Sequence, residues 1–186
     1  IMVAMMNFGH SAMAAWGLRF LQPVPDAMVL DCGCGGGANI KTLLKLCPKG
    51  KVQGIDYSAV SVEKARKVNA GAIAVGQCTV QQASVAELPF EAEQFDVVTA
   101  FETVYFWPEL AQNFREVYRV LKPGGTFFIC NEANGETAKD DKWTRIINGM
   151  TIYTDADLKV YLEQAGFCKI QSHKNKKGWL CVTARK

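Results

Sequence analysis

The sequence predicts an open, mostly parallel α/β sheet that ends in an antiparallel hairpin. Three observations point there. Five short apolar runs alternate with helical stretches, a glycine cluster joins the first run to its helix, and the last two apolar runs flank a short polar turn. The 186 residues give room for one domain with a proper core, and residues 1–186 are expected to form a single unit.

Taken in order, residues 27–32 read as the first strand and 39–47 as a helix stopped by Pro48. Residues 51–55 form the second strand, and Ser58 N-caps a helix reaching about Asn69. Residues 78–82 and 95–101 (FDVVTAF) supply the third and fourth strands. These runs are apolar on both faces, as in a parallel sheet covered by helices. Pro108 sits in the first turn of the next helix, where Leu110, Phe114, Val117 and Leu121 recur at helical spacing. The turn Lys122-Pro123-Gly124-Gly125 then feeds a fifth strand at 126–130, which completes a βαβ crossover. Residues 131–148 read as a loop with a short helix near 143–147. Thr154 and Asp157 have capping-box spacing before a helix whose stripe is Leu158, Leu162 and Ala165, closed by Gly166. Residues 167–173 and 179–183 flank KNKKG, and two strands so close in sequence pair antiparallel.

Composition narrows the function. Apolar residues make up 49% and charged residues 21%, the balance of an ordinary globular domain. A net charge of +3 with dispersed basic residues argues for neither a nucleic-acid partner nor an acidic membrane. No apolar run approaches the ~18–20 residues that span a bilayer, and IMVAMM lacks the length and basic flank of a secretory signal. Seven cysteines without framework spacing suit a reducing compartment, so a cytoplasmic location is expected. Cys32 and Cys34 are too close, on too glycine-rich a turn, for a zinc knuckle. With His10 and His173 the only histidines, no metal site is expected.

The stretch VLDCGCGGGANI carries the cofactor question. A helix N-terminus behind a glycine turn is an anion site, and Gly33, Gly35 and Ala38 satisfy the dinucleotide fingerprint G-x-G-x-x-G/A. Asp31, two residues before the first glycine, counts against a pyrophosphate. Its carboxylate favours a ligand carrying an ammonium and a sulfonium. Asp56, in GIDYS at the end of the second strand, is placed to accept hydrogen bonds from ribose hydroxyls, which nicotinamide enzymes also require. The loop SVAELPF follows, and then a strand whose tip carries Phe101 and Glu102.

Five segments together, VLDCGCGGG, GIDYS, SVAELPF, FDVVTAFET and REVYRVLKPGGTFFI, resemble in order and spacing the class I S-adenosylmethionine-dependent methyltransferases. The resemblance is strong over residues 29–131, fair to 185 and weak over the first 27. It implies a Rossmann-like sheet of about seven strands with helices on both faces, and S-adenosylmethionine as methyl donor with S-adenosylhomocysteine as product. It further implies that the backbone of Gly33, Cys34 and Gly35 passes close to the methionine portion and that Asp31 meets its ammonium. Asp56 would hold the ribose, with Tyr57 beside the adenine. Ser84 stands where the family often has an acid, so Ser84 and the Val85 amide would contact the adenine instead. Phe101 would line the methionine end through its backbone, residues 1–25 would form a helical lid, and 131–150 would cover the substrate pocket.

Open α/β sheets place their substrate crevice after strands such as the fourth, where Glu102, Tyr105, Phe106 and Trp107 follow. Glu102 and Tyr105 are the candidate catalytic residues there. His10, on a helix with Met13, Trp16 and Phe20 along one side, joins them if the acceptor needs a base. Phe106 and Trp107 read equally as packing or as substrate contacts. Family members that methylate nucleic-acid amino groups or glutamine amides usually carry Asn/Asp-Pro-Pro-aromatic after strand four, whereas this chain has FETVYFWP. A small-molecule acceptor, with no nucleic acid or membrane partner, is therefore expected, reached by in-line displacement. Two alternatives stay open: an NAD(P)-dependent oxidoreductase built on the same glycines, and a non-catalytic module that binds S-adenosylmethionine.

Overall fold

In the computed structural model, which describes residues 2–186 and side chains from His10 onward, all seven strands join one sheet. The chain opens with α1 (Met2–Gly17) and a 3-10 turn (Leu18–Phe20). It continues as β1 (Met28–Cys32), α2 (Ala38–Leu46), β2 (Lys51–Asp56), α3 (Ala59–Val68), α4 (Ala70–Ala74) and β3 (Cys78–Gln82). The second half runs through β4 (Phe95–Phe101), α5 (Leu110–Val120), β5 (Leu121–Asn131), α6 (Ala138–Ile146), α7 (Asp155–Ala165), β6 (Cys168–Lys174) and β7 (Leu180–Arg185). Strand order is β3-β2-β1-β4-β5-β7-β6, parallel throughout except for β7, which is antiparallel to both β5 and β6. The expected fold class holds. The order reverses between β1 and β4, so the crevice of such a sheet opens above their carboxyl ends.

Alternation along the strands sorts side chains to two helical layers. Val29, Val52, Val80 and Phe128 meet Met13, Ile40, Leu43, Val62 and Ala65 of α1, α2 and α3. Leu30, Val98, Phe127, Ile129 and Val182 meet Leu110, Phe114, Val117, Leu158 and Leu162 of α5 and α7 on the other face. Each such side chain contributes about 1.5–3 kcal/mol by leaving water. The expected capping box is present at Thr154 and Asp157, and Gly166 ends α7 with φ 106°.

Several boundaries depart from the sequence reading, each for a local reason. α5 begins at Leu110 with Glu109 as its N-cap, so Pro108 lies before the helix; Asn113 Oδ1 accepts from the Glu109 N–H (3.2 Å). The Lys122-Pro123-Gly124-Gly125 turn is an irregularity inside β5, because Leu121 already pairs with Phe95 before the register shifts to Val97 with Thr126. β7 extends to Arg185, which pairs with Thr126. α6 starts at Ala138, earlier than the expected 143–147. Asp140 accepts from the Gly135 N–H (2.8 Å) and folds the preceding loop onto the helix's first turn. The short α4 was not expected. Among the described residues no helix is long and apolar enough to cross a membrane.

Candidate active site

The loop after β1 is held by its neighbour strand. The N–H groups of Gly33 and Cys34 both donate to the Ile55 carbonyl of β2 (2.8 and 2.9 Å). Gly33 must be glycine on two counts: its φ is +73°, and a Cβ would stand 2.2 Å from Thr103 Oγ1. Gly35 also has positive φ (+51°), but a Cβ there would meet nothing within 4 Å. One glycine is fixed by packing, while the other lies on an open face where a ligand can approach the backbone.

Asp31 lies at the root of this loop, only 1% exposed. The Thr99 hydroxyl donates to its Oδ1 at 2.7 Å. Burial pushes its carboxyl up to about 7, against the Thr99 hydrogen bond and with a further rise from Asp56. A buried acid of this kind suits a ligand that brings a positive charge. Asp56, at the end of β2, accepts from the Gly35 N–H through Oδ2 and from the Ser58 N–H through Oδ1, each at 2.9 Å. Both bonds fix the carboxylate, and each oxygen keeps a second lone pair for a hydroxyl. Tyr57 follows with its side chain 79% exposed beside the rim. Ser84 is exposed and turns its hydroxyl onto the Ala86 N–H (3.1 Å), with Val85 half-buried between them. Phe101 is buried against Phe128 at the tip of β4. These residues share the carboxyl rim of β1, β2, β3 and β4. Together they set two acids on one rim with open backbone between them.

Across the order reversal, a second cluster forms from residues remote in sequence. Glu102 adopts the left-handed conformation (φ 57°) and turns the chain from β4 into the 3-10 turn Val104–Phe106. Its Oε1 accepts from the Tyr105 hydroxyl (2.8 Å) and from the Glu132 N–H. Tyr105, 2% exposed, accepts in turn from the Ala133 N–H (3.0 Å). His10 Nε2 lies 3.7 Å from Glu102 Oε2 and 3.9 Å from Glu132 Oε2. Burial raises the Glu102 carboxyl to about 7; the hydrogen bonds from Glu132 and Tyr105 oppose the rise and the Glu132 charge adds to it. Burial, with Glu102 alongside, pushes the Tyr105 hydroxyl well above its ordinary range. Glu102 is thus poised near neutrality, and Tyr105 is kept as a proton donor to it.

All three candidate catalytic residues come together. Trp107 does not join them: it is 5% exposed and stacks on Phe127 at 6.2 Å, so its role is packing. Phe106 remains exposed at the rim. The sequence reading missed Glu132, whose only signal is an acid one residue past a strand tip. It also missed Thr99, Thr103 and Asn69; the Asn69 amide braces the glycine loop by donating to the Gly37 carbonyl (3.0 Å). Lys174, at the end of β6, pairs with Glu136 (2.8 Å) and Asp155 (3.4 Å).

Residues 30–129 match a family model described as a methyltransferase domain. The chain is 29% identical over 143 residues to 24-methylenesterol C-methyltransferase 2 of Arabidopsis thaliana, covering 76% of this chain and 38% of that protein. It is 35% identical over 111 residues to the demethylmenaquinone methyltransferase of Symbiobacterium thermophilum, covering 59% of this chain and 44% of that protein. It therefore spans less than half the length of these curated relatives. Among solved structures, a chain from the complex between the Haloferax volcanii Trm112 methyltransferase activator and a methyltransferase superposes with TM-score 0.86 at 22% identity, covering 97% of this chain and 91% of that one. A geranyl diphosphate methyltransferase solved with SAM gives TM-score 0.77 at 18% identity, covering 94% of this chain and 84% of that one.

Proposed function

The chain belongs to the class I S-adenosylmethionine-dependent methyltransferases, and from that premise we propose that it methylates an apolar small molecule whose accepting atom yields a proton to Glu102. The donor supplies a methyl group already activated by its sulfonium. What the protein adds is position and a base. Aligning acceptor and methyl can supply ~7–11 kcal/mol of the barrier, and a positioned base a further ~10²–10⁴ in rate.

Asp31 would hold the ammonium and Asp56 the ribose hydroxyls. The backbone of Gly33, Cys34 and Gly35 would run along the methionine portion, with Phe101 at its end. Tyr57, Ser84 and Val85 would border the adenine. The residues fit the donor because, among the described residues, the buried Asp31 carboxyl has no cationic partner, and because the position beyond Gly35 is open. α1 and residues 131–150 would exclude water above the acceptor, since His10 and Glu132 both reach Glu102. The family assignment decides against the nicotinamide alternative that Gly33, Gly35 and Ala38 left open.

The observation that carries the acceptor reading is the Glu102–Tyr105 pair, a buried acid near neutrality held by a neutral hydroxyl. An amine acceptor carries its own lone pair. Methyl transfer to an unsaturated or aromatic carbon uses its π pair and leaves a carbocation, which is discharged by loss of a proton from that carbon or its neighbour, and Glu102 is suited to take it. The curated relatives named above act on carbon of a sterol or are named for a demethylmenaquinone, which supports the apolar class.

The test is acceptor-dependent formation of S-adenosylhomocysteine with three panels: isoprenoid alkenes and sterols, prenylated quinols, and polar amines. Turnover on the first two supports the reading, and turnover on amines alone overturns it. S-adenosylhomocysteine binding without turnover on any panel would favour the non-catalytic module.

A further inference from the structure

Residues 132–151 form a strap fastened at both ends to the acceptor side. The Glu132 N–H donates to Glu102, the Ala133 N–H to the Tyr105 hydroxyl oxygen (3.0 Å), and the Thr151 N–H to the Tyr105 carbonyl (2.9 Å). Between those ties runs α6, in which only Asp140 is buried. Trp143 and Ile146 are 48% and 61% exposed, and Phe106, adjoining Tyr105, is 46% exposed. Trp143 and Ile146, three positions apart on α6, are neighbouring large apolar side chains left in water.

Charge gathers at the same place. Lys139, Lys142 and Arg145 project exposed from α6, and Lys176 and Lys177 from the β6–β7 tip. That tip abuts the strap: a Cβ on Gly178 would lie 3.8 Å from both Asn134 and Thr137, and Lys174 reaches Glu136. The nearby acids offset part of this. Asp140 is buried, Glu136 and Asp155 share Lys174, Asp141 is exposed and Glu132 lies towards His10, so with Lys174 counted the six cations outnumber the four acids Glu136, Asp140, Asp141 and Asp155 by two. Lys177 also lies over the Trp179 ring at 4.7 Å. A net charge of +3 is slight for the whole chain, yet α6 sets Lys139, Lys142 and Arg145 beside exposed Trp143 and Ile146.

We propose that this rim docks on an anionic lipid bilayer, with Trp143, Ile146 and Phe106 in the interface and Lys139, Lys142, Arg145, Lys176 and Lys177 against headgroup phosphates. Indole rings favour that boundary, and basic residues flanking apolar ones are what hold a short helix in the plane of an anionic leaflet. Docking would bring the mouth beside Glu102 to the phase where an apolar acceptor is dissolved. That last clause rests on the acceptor reading above; the docking itself does not.

Co-sedimentation with acceptor-free vesicles tests it, using phosphatidylcholine alone and phosphatidylcholine mixed with phosphatidylglycerol. The protein should bind the mixed vesicles and be released by high salt, as charge attraction is screened beyond ~10 Å at 0.1 M. Trp143→Ser with Ile146→Ser, and separately Lys139→Glu with Lys142→Glu and Arg145→Glu, should each weaken binding by about tenfold or more. Val75→Ser, at an exposed apolar site elsewhere, should not. Unchanged S-adenosylhomocysteine affinity certifies that each variant is folded. Absence of wild-type binding overturns the proposal, and so does binding that the Trp143/Ile146 variant retains. Because the vesicles hold no acceptor, a negative result leaves the Glu102 reading intact. Equally, failure of Glu102 to act as base would leave vesicle binding unaffected.

Discussion

The two sides of the rim are built by different means. On the cofactor side, Asp31, Gly33, Gly35 and Asp56 come from two short segments tied by backbone N–H donors: Gly33 and Cys34 to the Ile55 carbonyl, and Gly35 to the Asp56 carboxylate. On the acceptor side, His10, the Glu102–Tyr105 turn and Glu132 come from three separate places and meet largely through side chains. Each side nonetheless contains one buried acid whose carboxyl sits at about 7. Similar titration conceals opposite tasks. Under the proposed function Asp31 would meet a cation, whereas Glu102 would take a proton.

The largest effect separates those tasks. Glu102→Gln keeps shape and loses the base, so kcat should fall by roughly 10²–10⁴ while S-adenosylhomocysteine affinity stays unchanged. In the wild-type protein the rate should rise with pH and level off above about 7, where Glu102 is ionised. Calorimetry beside steady-state kinetics checks both. Equal loss in binding and rate would mean that Glu102 belongs to the cofactor side.

A smaller effect tests how the cofactor side uses its glycines. Gly33→Ala forces a Cβ to within 2.2 Å of Thr103 Oγ1 at φ +73° and should lower stability by about 2–4 kcal/mol, seen as a fall in denaturation midpoint. Gly35→Ala meets no neighbour within 4 Å and should cost only about 1–2 kcal/mol for its positive φ. Its cofactor affinity should fall more than its stability does, because the new methyl occupies the open face. The reverse pattern would place the ligand elsewhere.

This contrast also explains what could be read beforehand. The strands, the capping box at Thr154 and the acids at Asp31 and Asp56 are local patterns of spacing, and the fold keeps them local. Glu132 had no such pattern, because its meeting with His10 depends on how α1 crosses the end of β5. The Pro123-Gly124-Gly125 segment was misread as a free turn, since only cross-strand register with Phe95 makes it part of β5. Trp107 was ambiguous because an aromatic after a strand tip points to core or crevice according to tertiary packing alone.

Asp31 gives the next test through linkage. A carboxyl raised from 3.8 to about 7 stabilises the free protein most below 3.8, and that contribution is lost as pH rises through 7. An ammonium ligand needs the ionised form. Below about 7, binding must expel the proton, so affinity for S-adenosylhomocysteine should fall by up to about tenfold per pH unit. Titrations in two buffers of different ionisation enthalpy should show proton release at pH below 7 and none well above it. Asp31→Asn should abolish the release. Release that persists in the Asn variant would assign the proton to another group.

The smallest effect probes the hinge between base and strap. Tyr105 donates to Glu102 at 2.8 Å, a bond that stabilises the carboxylate and holds its titration down. Tyr105→Phe removes that bond and strands the Ala133 N–H, which the Tyr105 oxygen now accepts at 3.0 Å. A hydrogen bond to a charged group is worth about 1.5–3 kcal/mol before water replaces part of it. The limb of the pH–rate profile should therefore move to higher pH by about one unit, with the plateau rate well above that of Glu102→Gln. A structural role alone would lower the rate at every pH and leave the limb in place. The displaced limb is the signature that Tyr105 tunes the base, and it separates a positioning residue from one that merely anchors residues 132–151.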